Sequence, residues 1–356
     1  MIEAAQTKPQ IRATISRDVR ALLGAALVLV FVAWLASTNG TLDIPITTTL
    51  EAVWKGITGR AAQLEGLEAI VWNLRLPRVM FGALVGATLA AAGAAMQGLF
   101  RNPLADPYLM GTASGAAFGA TVAIFATGTQ ALAFASGMFS STSSLVPLFA
   151  FLGAFGAVML TLWLSSMSRK SNSSLVLSGV IVGAMLTAIT TYIQMHDADR
   201  MRAVFSWTLG NLALAGWSEV LAVLPYALLG MIALWIFSRS LDALQLGEDT
   251  ASTLGVRVDR IKLFVVIAAS LATAAAVSYA GIIGFVGLIA PHVMRRLGGP
   301  AHRTLIPSSA LAGAALLVLA DLGARVLIRP QELPVGIVTT LLGGPFFLWL
   351  LLRRKT

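Results

Sequence analysis

Runs without a charged side chain recur along the sequence, each about as long as a bilayer is thick. A spanning helix needs about 20 mostly apolar residues. Ala21–Ser37 is the first such run, and Val79–Phe100, closed by Arg101, is the second. From Pro107 to Ser168 no charged residue occurs, a stretch of 62 residues and too long for one crossing. The polar cluster Ser136–Ser144 reads as a turn within it and divides it into Tyr108–Ala133 and Leu145–Ser165. Leu175–Met195, Val220–Ser238, Leu263–Ala280, the short Gly-rich Ile282–Met294, Leu305–Ala320 and Val335–Leu352 complete the series. Strand alternation is absent, and lipid offers no partner to a free backbone group, so every run is predicted to be helical. Small residues inside the spans, Gly82, Gly86, Ala90 and Gly93 among them, predict closely packed helices. The pattern therefore predicts an all-α polytopic membrane protein of about ten transmembrane helices. Residues 1–20 form a tail, 21–352 the helical domain and 353–356 a second tail. The stretch 263–294 reads as one long helix or two short ones.

Composition sharpens this picture. The chain is 57% hydrophobic and 12% charged, against about 25% charged in soluble domains. Intrinsic disorder and a water-soluble enzyme are excluded on that ground, and zero cysteines exclude a disulfide scaffold. The net charge of +9 is read as loop charge facing the cytoplasm rather than affinity for nucleic acid. With both tails cytoplasmic, 17 of the 25 lysines and arginines fall inside. The apolar run at Ala21–Ala36 is longer than a cleavable signal's core and is predicted to be an uncleaved first helix.

Motifs for chemistry are missing. None of the five lysines follows a glycine, so no G-x-x-x-x-G-K-[ST] loop exists. His196, His292 and His302 lie far apart and form no zinc spacing. Asp321 is the one acid near the interior of a span, thin support for a proton relay.

Four segments read as more than scaffold. Arg75 and Arg78, in Trp72–Arg78, sit at the outer start of the second span, against both the positive-inside bias and the dipole of a helix beginning there. An external acidic partner or snorkelling anchors would each explain them. Asp321 and Arg325 are four apart and suited to pair on one helix face. In the inner loop, within 240–260, Glu248, Asp249 and Thr250 suit a helix start and Gly255 its end, leaving Leu254 and Val256 to be offered to a partner or to the lipid surface. Pro103 and Pro107 force an irregular return into the membrane after Arg101. That stretch and the polar Ser171–Ser174 fit either a passage lining or ordinary turns.

Taken together, LRLPR at 74–78, GAAMQGLFRNPLADP at 93–107, LGEDTASTLGV at 246–256, GIIGFVGLIAPHVMR at 281–295, LADLGAR at 319–325 and ELPVGIVTTLLGGPFFLWLL at 332–351 resemble one family. It is the permease subunit of type II ATP-binding-cassette (ABC) importers, which carry vitamin B12, ferric siderophores or haem. The resemblance runs from about residue 70 to the C-terminus. It implies ten helices per subunit, a homodimer with an axial passage, two ATPase subunits below and a periplasmic substrate-binding protein above, in the bacterial inner (cytoplasmic) membrane. It implies that Arg75, Arg78 and Arg325 meet acids of the binding protein. It implies that Gly247, Glu248, Asp249, Thr250, Ser252, Leu254 and Gly255 form the ATPase-coupling element. Asn102, Leu104, Asn172 and Ser173 would belong to the inner gate. No cofactor is expected in this chain, ATP and magnesium being held by the partner subunit, and no catalytic or metal-binding residue is expected.

Met195, His196 and Met201 near the outer end of the fifth span are haem-ligand types, or solvated loop residues. Haem ranks first as cargo, then ferric siderophore, then cobalamin. A secondary transporter driven by an ion gradient is the rival class, and a membrane enzyme a weaker third.

Overall fold

The computed structural model describes residues 4–40, 42–127, 145–167, 172–213 and 215–353. Among these the chain is helical throughout and contains no strand. In chain order the helices are α1 (Ala4–Thr38), α2 (Ile46–Ile57), α3 (Gly66–Ile70), α4 (Leu76–Phe100), α5 (Thr112–Thr127), α6 (Leu145–Met167), α7 (Asn172–Gln194), α8 (Ala198–Thr208), α9 (Trp217–Ile236), α10 (Ser238–Gln245), α11 (Glu248–Thr253), α12 (Val258–Ala280), α13 (Val286–Leu297), α14 (His302–Val326) and α15 (Val335–Arg353). Seven of the described helical stretches are long and apolar enough to cross a bilayer, and α5 and α15 are shorter apolar helices. The expected turn at Ser136–Ser144 lies outside the described residues.

Two features of α4 position the outer arginines and the neighbouring helices. First, the helical backbone does not begin at Leu76. It runs from Gly66 through a π-helical turn, Val71–Arg75, into α4. Arg75 and Arg78 therefore stand inside a continuous helix rather than at its N-terminus. The dipole argument drawn from the sequence is thereby overturned, because the helix start lies further back, next to Glu65 and Glu68. Second, α4 is buried on nearly all sides, and its small residues are the reason. A β-carbon at Gly86 would collide with Gly313 O of α14, and one at Gly93 with Gly287 O of α13. Close backbone contact of this kind replaces the hydrophobic drive that lipid removes.

The stretch 263–294 resolves into two helices. Gly281, at φ 72°, ends α12, and Phe285, at φ 68°, precedes α13. The twelve residues of α13 extend only about 18 Å at 1.5 Å per residue, less than the ~30 Å hydrocarbon core. The break is fixed from outside: Asn211 N donates to Ala280 O at 2.9 Å, and Tyr108 Oη donates to Ile283 O at 3.0 Å.

Four short helices went unread in the sequence, α3 among them. α2 and α8 lie at the outer end, where the Trp72 and Trp217 rings meet at a tilt with centroids 5.2 Å apart and Trp217 Nε1 donates to Trp72 O. Such aromatics belong at a membrane interface. α10 lies at the opposite end.

Candidate functional site

At the outer end, Arg75, Arg78 and Arg325 converge as the sequence suggested, but they point inward. They are 7%, 9% and 3% exposed. Arg78 Nε and Nη2 grip the Asp321 carboxylate at 2.8–3.1 Å, and its Nη1 donates to Glu332 Oε2 at 2.8 Å. Arg325 Nε lies 3.2 Å from Asp321 Oδ2, the i,i+4 pairing expected from the sequence.

The remaining donors meet the end of α1. Arg325 Nη2 donates to Ala36 O, and Arg75 Nη1 to Ser37 O and Thr38 O. Arg75 Nη2 reaches Leu42 O. The last carbonyls of a helix lack intrahelical partners and carry partial negative charge. Two guanidiniums satisfy them here. Gly40 makes the approach possible, since a β-carbon there would sit 3.3 Å from Arg325 Nη1 and 3.4 Å from Arg75 Nη2. Glu332 is the outward member, with 30% of its side chain exposed.

Other outer cations also have partners within the chain. Lys55 pairs with Glu68 at 2.6 Å, Arg329 with Asp43 at 3.3 Å, and Arg200 with Asp197 at 3.0 Å. Each ties a surface segment down, which explains their presence on the side poorer in positive charge.

At the opposite end, α10 and α11 form one bracket. Leu241 and Leu244 of α10 are buried against Leu99 and Leu305. Gln245 Nε2 donates to Gly98 O at the end of α4. Asp242 Oδ1 accepts from His302 N at 2.9 Å and lies 2.6 Å from His302 Nδ1. α11 follows at Gly247, whose φ of 115° favours glycine. Ala251 anchors it, and Glu248 meets the buried Lys262 of α12 at 2.7 Å. Ser252 and Thr253 hydroxyls close back on the helix carbonyls Asp249 O and Thr250 O. Gly255, at φ 84°, ends the turn, with Val256 N donating to Ala251 O. Leu254 projects outward at 63% exposure. Val256 does not: it packs against the core, because the turn after Gly255 folds it under the helix.

The irregular segment predicted between α4 and α5 is present. Arg101 adopts φ 50°, and Asn102 Oδ1 accepts from Leu104 N at 2.9 Å. Asn102 and Leu104 are exposed. Asp106 Oδ1 accepts from Tyr108 N at 2.8 Å, and burial pushes the Asp106 carboxyl up to about 6. Asn172 and Ser173 open α7, where the Asn172 Oδ1 is buried without a hydrogen-bond partner. Among the described residues no hydrogen bond joins the 102–104 pair to the 172–173 pair. Further along, Gly179 of α7 lies close against Leu109 O.

An inward-packed bundle with a bracket at one end and an arginine cluster at the other is matched by known sequences. The profile of the FecCD transport family fits residues 24–353. The chain belongs to the FecCD transport family. Among relatives, the cobalamin import system permease protein BtuC of Halobacterium salinarum is 43% identical over 82% of this chain and 75% of its own length. The hemin transport system permease protein HmuU of Yersinia pestis is 38% identical over 94% of this chain and 96% of its own. An ABC transporter assigned to the metal-chelate type, solved in an inward-facing conformation, superimposes with a TM-score of 0.78 at 31% identity, over 94% of this chain and 99% of that one.

As a FecCD permease the chain is a multi-pass membrane protein for transport. The contacts made by Asp242, Gln245, His302, Lys262 and Glu332 escaped the sequence reading. Each acts on a residue far along the chain or stands in a short helix without a long periodic pattern. Met195 and His196 are exposed at the outer end of α7, the imidazole Nδ1 lying 2.9 Å from Tyr192 O.

Proposed function

We propose that this FecCD permease is the membrane-spanning subunit of an ATP-driven importer that moves haem, or another iron complex such as a ferric siderophore, inward across a bacterial cytoplasmic membrane. It works as a homodimer with the passage between the two copies. Two ABC ATPase subunits, which hold ATP and magnesium, seat on α10–α11. A periplasmic binding protein docks at the rim formed by Arg75, Arg78 and Arg325. The observation that supports this best is the α10–α11 bracket, whose inner face is bonded to α4, α12 and α14 while Leu254 is left outside. Force applied there reaches the interior of the bundle through those bonds, and it biases the passage through differential binding to two states.

At the rim, a partner's acid would reach Arg78 by displacing Glu332, the more solvated of its two carboxylates. Asn102, Leu104, Asn172 and Ser173 would serve the inner gate. The haem reading rests on the exposed Met195 and His196 and on the likeness to HmuU. Cobalamin is the second reading, favoured by the likeness to BtuC.

The test is uptake into proteoliposomes holding the complete complex, with haem, ferric hydroxamate and cobalamin offered in parallel on the binding protein. Haem or ferric hydroxamate is expected to accumulate at least tenfold above cobalamin. Preferential accumulation of cobalamin would overturn the iron-complex reading.

A further inference from the structure

Between α1, α13 and α14 runs a groove of about 790 Å³. Its walls are Gly24, Ala25, Val28 and Val32 of α1 with residues of α13 and α14 such as Met294 and Leu316, and Arg17 and Arg20 stand at one end. From Ala21 to Val32 the groove follows α1 for about 16 Å at 1.5 Å per residue. That is about half of the ~30 Å hydrocarbon core, or one leaflet.

Charge is concentrated at the arginine end. Arg17 donates to Leu297 O at 2.8 Å and also reaches Arg296 O. These contacts hold its guanidinium in place without neutralising it, since both acceptors are carbonyls. Arg20 is exposed beside it, and Arg296 is exposed at the end of α13. Asp18 is turned toward Thr304, whose Oγ1 donates to its Oδ2 at 3.2 Å, and it does not line the groove. Toward Val32 the lining is aliphatic.

We propose that this groove is a binding site for an anionic phospholipid of the cytoplasmic leaflet. The phosphate would be held by Arg17 and Arg20, and one acyl chain would lie along Gly24, Val28 and Val32. Basic pockets between transmembrane helices on the cytoplasmic side suit anionic headgroups, and arginine forks match phosphate oxygens. Two guanidiniums at one end favour an anionic occupant there, and the one-leaflet length suits a lipid better than a spanning helix. The bound lipid would brace α1 against α13 and α14.

Two variants separate headgroup from chain. A β-carbon at Gly24 meets nothing within 4 Å, so Gly24→Phe has room to enter the groove and keeps both arginines. Arg17→Gln with Arg20→Gln removes the charge and leaves the groove open. The purified protein would be reconstituted in nanodiscs of phosphatidylcholine with 10% phosphatidylglycerol, extracted, and its retained lipid counted by native mass spectrometry. Retained phosphatidylglycerol on the parent protein, falling at least fivefold in both variants, is the expected result. The melting temperature of the parent should rise with added phosphatidylglycerol, and that of Gly24→Phe should not. Equal retention in all three proteins, retention of phosphatidylcholine in preference, or a polypeptide found in the groove would overturn the proposal. None of these readouts depends on transport.

Discussion

Asp321 stands between two guanidiniums, so neutralising it strands both in a buried site. Removing one partner of a buried pair typically costs about 3–5 kcal/mol. Asp321→Asn is expected to lower the unfolding midpoint of the detergent-solubilised protein accordingly. Glu332→Gln, at the solvated side of the same cluster, is expected to cost under about 1 kcal/mol. Equal losses would show that the cluster is not organised around Asp321. The i,i+4 spacing made the Asp321–Arg325 pair legible in the sequence. The stronger grip of Arg78 on Asp321 joins positions 243 apart, and no local pattern could announce it. Asp106 gives a pH test. Its folded-state carboxyl holds its proton up to about 6, so its contribution to stability is present at low pH and disappears as pH rises through that value. In Asp106→Asn an amide oxygen can still accept from Tyr108 N, and the titration is gone. The stability difference between parent and variant is expected to shift by about 1–2 kcal/mol, against the parent, between pH 4.5 and 7.5. A difference that stays flat with pH would remove burial as the cause.

The long helices were legible because lipid imposes one rule on every crossing. Segments of 17 or more apolar residues show themselves, and small residues in α4 announced its close neighbours. Short amphipathic elements carry too few turns for a period to emerge. α10, with only Leu241 and Leu244 to anchor it, reads like loop, and the helical turns that lead into α4 from Gly66 to Arg75 carry charge and so do not read as part of a span. Packing of α4 on α13 makes a prediction at this scale. Gly93→Ala drives a methyl into Gly287 O and is expected to cost about 1–3 kcal/mol by overpacking, read as lost thermal stability of the solubilised protein. A neutral result would mean that the two helices separate readily. α11 offers another. Leu254→Asp changes an outward side chain, so the melting temperature should be unchanged while affinity for the ATPase subunit falls at least tenfold in a pull-down or by interferometry. Unaltered affinity would move the ATPase contact elsewhere.

At the scale of the whole molecule, the two ends are built differently. The outer end spends its arginines internally, tying α1, α4 and α14 together, with Glu332 facing out. The inner end exposes Leu254 on a bracket bonded to α4, α12 and α14. That arrangement fits the proposed role of a part moved by its partners. Charge counting along the sequence could not show that Arg75 and Arg325 serve the fold as caps for α1. The most direct measurement is uptake by proteoliposomes containing this permease, its ATPase and its binding protein, with ATP enclosed and an ionophore present. Cargo accumulation that follows ATP and survives the ionophore is predicted, with no hydrolysis by the isolated permease. Accumulation that collapses with the ion gradient and ignores ATP would contradict the account.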